Sequence, residues 1–112
     1  MTPLWDEFLE SLGRTPCLEA RPDVVEAMRV TGRAQDAKGR ARYGEPLTEA
    51  TQGDWCEHVA QELADATVYA DRGAREARRK GEWDKAIRLW RLCAQARDLW
   101  AEIEAIRLEE RG

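Results

Sequence analysis

A chain of 112 residues can close one modest core, so a single domain spanning residues 1–112 is the expectation. Charged residues make up 36% and hydrophobic residues 43%, a polar balance that favours amphipathic helices over buried sheet, and no apolar run reaches membrane-spanning length. The net charge of −4 conceals an alternation: residues 1–20 carry −3, 21–44 +3, 45–71 −7 without a Lys or Arg, 72–97 +6 and 98–112 −3.

The chain starts Met1-Thr2-Pro3-Leu4-Trp5-Asp6-Glu7, with no basic leader before an apolar stretch, so neither a secretory signal nor a transit peptide is expected and the cytoplasm is the default compartment. A short helix is predicted from about Pro3 to Leu12, with Thr2 as N-cap, an apolar face of Leu4, Trp5, Phe8, Leu9 and Leu12, and Gly13 ending it. Arg14-Thr15-Pro16 reads as a turn. A second helix is predicted from Arg21-Pro22-Asp23 to about Lys38, with Val24, Val25, Met28 and Thr31 inward. Gly32 and Gly39 each weaken it by ~1 kcal/mol relative to Ala, which predicts an early end or a bend. Ala41 to Leu47 reads as loop, and polar residues extend it to Gly53.

Asp54 caps the central helix, expected to run to about Lys80 with Gly73 as a kink or stop. At 100° per residue, Trp55, His58, Glu62, Asp65 and Tyr69 fall on one stripe, flanked by Val59, Leu63 and Ala66. Desolvating two neighbouring carboxylates costs several kcal/mol unless a cation or donors compensate, which points to a divalent metal; the competing reading is a stripe that faces water. His58 reads as a half-buried residue with a satisfied hydrogen bond or a donor to the carboxylate, and Tyr69 as core or a base-stacking ring. Gly81 separates the last helix, about Glu82 to Glu110, where Trp83, Ala86, Ile87, Trp90, Cys93, Ala94, Trp100, Ile103 and Ile106 recur at spacings of three and four. Such a helix is roughly 40 Å long, more than a compact monomer covers, so its outer turns are expected to pack on a second copy. Trp83, Trp90 and Trp100 are expected to fill an interhelical core or that seam. No strand-like alternation occurs, and the expected fold is an all-α bundle of about four helices with a long C-terminal amphipathic helix.

Cys17, Cys56 and Cys93 are far apart and odd in number, which argues against a disulfide framework and against a CxxC-type zinc site. An acidic block running into a basic one suits a site that holds a cation and a polyphosphate together, and equally suits helix–helix salt bridges.

Tyr43-Gly44-Glu45-Pro46-Leu47, then Gly53-Asp54-Trp55 and the run from His58 to Tyr69, resemble short MazG-like proteins of the all-α nucleoside triphosphate pyrophosphatase superfamily, particularly bacteriophage-encoded ones. The resemblance covers roughly Arg40 to Tyr69. It implies a helical, oligomeric, Mg²⁺-dependent (or Mn²⁺-dependent) hydrolase that splits a nucleotide into its monophosphate and pyrophosphate, with the ExxD half of the motif on Glu62 and Asp65 as catalytic metal ligands. Gln61 stands where many members have a second Glu. For the ExxE half, Asp23-Val24-Val25-Glu26 has the internal spacing but lies far upstream, Asp23 is also explained by the helix dipole, and Asp36 stands alone. Arg72, Arg75 and Arg79, which follow the Glu62 and Asp65 face, are the preferred substrate-binding cations, with Tyr69 as a base-stacking candidate and Lys38 and Arg42 as weaker basic ones.

A competing expectation is a non-catalytic helical adaptor or inhibitor that binds a host protein through its Trp-bearing last helix. Ala77, Gly81, Trp83, Ala86-Ile87 and Trp90 are similar to the second half of a single tetratricopeptide unit. Nucleic-acid binding is disfavoured because Glu76, Glu82 and Asp84 interrupt the basic stretch.

Overall fold

A computed structural model describes residues 1–112. It contains four α-helices and no strand: α1 (Leu4–Ser11), α2 (Pro22–Tyr43), α3 (Trp55–Arg79) and α4 (Trp83–Arg111). Tertiary contacts divide the chain into two compact units, Met1–Gln52 and Gly53–Gly112.

In the first unit, α1 runs into a 3-10 turn at Leu12–Arg14 and packs on α2. Leu9, Leu12 and Val25 are buried, with Trp5 and Leu18 packed against them. The spacing of Trp5, Leu9 and Leu12 puts all three on the side that meets α2. Gly32 is where the helices come closest: a Cβ there would lie 2.6 Å from Leu9 Cδ2 and 3.1 Å from a Trp5 ring carbon. The glycine expected to weaken α2 is the contact point instead, and α2 continues through it and through Gly39 to Tyr43. Residues 41–43, expected in a loop, are therefore helical, and the helix ends where Gly44 turns left-handed at φ 78°. The following segment returns to α1, where Leu4 N–H donates to Leu47 O at 2.8 Å.

The second unit is an antiparallel hairpin of α3 and α4. Asp54 accepts a hydrogen bond from Glu57 N–H at 3.0 Å, the expected N-cap. At the tip, Gly81 adopts φ 76° and Glu82 N–H donates to Ala77 O at 2.9 Å, closing a three-residue connection. Residues Cys56, Ala60, Leu63, Thr67, Ala70, Ala74 and Ala77 of α3 are buried or half-buried at alternating spacings of four and three. Ala86, Leu89, Cys93, Ala96, Trp100, Ile103 and Arg107 repeat that pattern on α4. Two seams of period 3.5 facing each other are the pattern of an antiparallel coiled coil. Small α3 residues bring the helices close, with Ala74 and Ala86 fully buried. Gly73 belongs to this close approach, since a Cβ there would meet Leu89 Cδ1 at 3.2 Å, and α3 passes through it without stopping. Half-buried Trp100 donates its indole N–H to Glu104, which also pairs with Arg107 at 2.8 Å. No helix is long and apolar enough to cross a membrane.

Candidate functional site

Six of the seven sequence-predicted site residues lie on α3, and Lys38 lies exposed on α2 in the other unit. Seven-residue spacing places Glu62 and Tyr69 on one line of α3, and Asp65, Arg72 and Arg79 on the neighbouring line. Both lines fall outside the seam that meets α4, and all five side chains are exposed. Glu62 and Asp65 are one turn apart and enter none of the protein's ion pairs. The stripe thus faces solvent, the simpler of the two arrangements foreseen for it, and the carboxylates are free to take a partner.

Arg75 is not brought together with them. It directly follows seam residue Ala74, which turns it to the opposite flank, where it pairs with Asp71 at 2.9 Å. Arg72 is held at 3.4 Å by Glu76, which also receives Lys80 at 3.0 Å. Hydrogen bonding from Lys80, helped by the charges of Lys80 and Arg72, keeps the Glu76 carboxyl below the usual range. Arg79 is exposed and forms no ion pair, which leaves it the freest cation on the Asp65 line.

Three aromatic expectations are corrected. Tyr69 is 69% exposed, so it is no part of the core, because its line faces away from α4. His58 is likewise exposed, with its ring 5.4 Å from that of Trp55. Trp83 is 58% exposed because it begins α4 beyond the last seam contact, whereas Trp90 and Trp100 are half-buried in the hairpin.

The acids of α2 occupy separate settings. Asp23 pairs with Arg21 at 3.3 Å, and that hydrogen bond, with one from the Val24 backbone, lowers its pKa, as suits an acid in the first helical turn. Asp36 pairs with Arg40 at 3.1 Å. Glu26 lines a cleft of about 590 Å³ with Asp6, Leu9, Glu10, Arg29 and Arg33, and there Arg29 donates to Leu9 O at 3.3 Å. Sequence reading passed over this cleft; its only trace is the one-turn spacing of Asp6 and Glu10 on α1 and of Glu26, Arg29 and Arg33 on α2. The stacking of the Arg78 guanidinium 5.7 Å above the Trp90 ring was equally unforeseen.

No group of three or more His, Cys, Asp or Glu side chains converges as a preformed metal cage. Mg²⁺ is commonly held by one or two carboxylates together with substrate phosphates, a mode that needs no such cage. The chain matches no protein-family model, and no curated protein or solved structure matches it.

Proposed function

We propose that the protein is a MazG-like nucleotide pyrophosphohydrolase that acts in the cytoplasm and cleaves a nucleoside or deoxynucleoside triphosphate to the monophosphate and pyrophosphate. The observation that carries this reading is the pair of exposed, unpaired carboxylates, Glu62 and Asp65, one turn apart on a rigid helix. Their donor set fits Mg²⁺ or Mn²⁺ bound jointly with a substrate's phosphates, and such an ion would supply polarisation of the phosphoanhydride. Arg72 and Arg79, on the Asp65 line, would neutralise phosphate oxygens. Tyr69, exposed on the Glu62 line, offers a face to the base.

Mn²⁺ binding in the presence of a non-hydrolysable nucleotide, followed by loss of the free-ion spectroscopic signal, tests the assignment. Wild-type protein should take up the ion, and Glu62→Gln and Asp65→Asn should each weaken uptake with helicity unchanged. Equal uptake by all three would remove both residues from the site.

A second reading, the helical adaptor or inhibitor, is supported by Trp83, which leaves 58% of its surface exposed at the start of α4. Aromatic side chains exposed on a rigid helix are the usual anchors of protein contacts. Under that reading both acid variants keep full partner binding, and Trp83→Ala loses it.

A further inference from the structure

The hairpin buries little of its own apolar surface. Its fully enclosed side chains are alanines, and no large side chain in the protein is fully buried. Burial of a methyl group contributes little, so the seam alone is a thin core for two helices of 25 and 29 residues. Leu92, Leu99 and Ile106 meanwhile remain 54%, 50% and 44% exposed.

These three residues recur every seven positions, each immediately before a seam residue of α4. On α3, Val59, Ala66 and Gly73 likewise each precede a seam residue. In an antiparallel pair, stepping back one residue rotates both helices toward the same side, so the two rows share one face of the hairpin. The register follows from Cys56 meeting Glu110 near the open end and Gly73 meeting Leu89 near the tip. Val59 is then level with Ile106, Ala66 with Leu99 and Gly73 with Leu92.

Charge is distributed unevenly along the same hairpin. Residues 72–97, around the tip, hold nine Lys and Arg against three acids, whereas residues 53–71 and 98–112, toward the open end, hold ten acids against two Arg. Two such faces meeting tip on tip would repel; meeting tip on open end, they attract.

We infer that this face is covered by a second copy of the chain, packed antiparallel about a two-fold axis that crosses the hairpin at the level of Ala66 and Leu99. The apolar rows are symmetric about that level, so Leu99 meets the partner's Leu99, and Leu92 meets the partner's Ile106. Val59 fits over the partner's Gly73. Arg88 and Glu109, which occupy corresponding positions beside the seam at opposite ends of α4 and enter no ion pair within the chain, face each other across the axis. The interface is isologous and forms a four-helix bundle from two hairpins. It stands independently of the nucleotide reading.

Sedimentation of the full chain tests it, with a mass twice the 12.8 kDa of one chain expected at about 100 µM. Leu99→Glu should give a monomer, whereas Ile87→Glu, on the other side of the hairpin, should leave the dimer intact. Arg88→Glu, an exposed position that leaves the fold undisturbed, should raise the dissociation constant at least about tenfold, and adding Glu109→Arg should restore it to within about threefold. A wild-type monomer at that concentration would overturn the inference and leave the face for a different protein. A dimer that withstands Leu99→Glu, or one indifferent to Arg88→Glu, would overturn the arrangement.

Discussion

Gly32 of α2 lies against Leu9 of α1 so closely that a single added methyl would stand 2.6 Å from the leucine Cδ2. Helix propensity alone favours Gly→Ala by ~1 kcal/mol, but overpacking a buried contact costs about 1–3 kcal/mol. Gly32→Ala is therefore expected to destabilise the protein by about 1 kcal/mol. At Gly39, seven residues on, an added Cβ meets nothing within 4 Å, so Gly39→Ala is expected to stabilise by up to ~1 kcal/mol. Urea unfolding of the two variants should move the midpoint in opposite directions.

The hairpin makes a parallel demand for small residues. Ala74 is fully buried where α3 faces α4, and Ala74→Leu would force the helices apart near the tip of the hairpin. A loss of about 2–3 kcal/mol is expected from overpacking of this kind. Thermal unfolding followed by circular dichroism reads it, and an unchanged midpoint would mean that the helices do not meet at Ala74.

Glu76 should report the electrostatics near the tip. Its folded pKa is depressed by Lys80 first and Arg72 second. A depressed carboxylate contributes stability above its ordinary value, here 4.5, and that contribution disappears as pH falls through the lower folded value. Carboxyl NMR should find the Glu76 midpoint below 4.5, and Lys80→Ala should raise it. A midpoint that ignores Lys80→Ala would assign the pair no role in solution.

What was legible in the sequence follows from how local each signal is. Asp54, Gly81 and the three- and four-residue spacings of α4 act within a few residues, and the cap, the turn and the long helix all stand where they were expected. Gly32, Gly39 and Gly73 misled because a glycine's intrinsic cost is visible in the sequence, whereas the neighbour it admits is not. Tyr69 misled for a related reason: its stripe holds enough apolar residues to read as a core, yet a richer alanine row, Ala60, Ala70, Ala74 and Ala77, faces α4 instead. Glu62 and Asp65 were legible as a pair on one stripe, and Arg72 and Arg79 as its continuation. Arg75 stands on the row beyond Arg72 and Arg79, and its pairing there with Asp71 was not legible in the sequence.

Pyrophosphate release from a panel of ribo- and deoxyribonucleoside triphosphates with Mg²⁺ or Mn²⁺, comparing the wild-type chain with Glu62→Gln and Asp65→Asn, tests the functional account most directly. Loss of a metal-assisted charge-stabilising contact typically costs about 100-fold or more in rate. The account predicts turnover of at least one nucleotide by the wild-type protein and a loss of that order in both variants, with helicity retained. No release from any nucleotide by folded wild-type protein, or undiminished release by both variants, would contradict it.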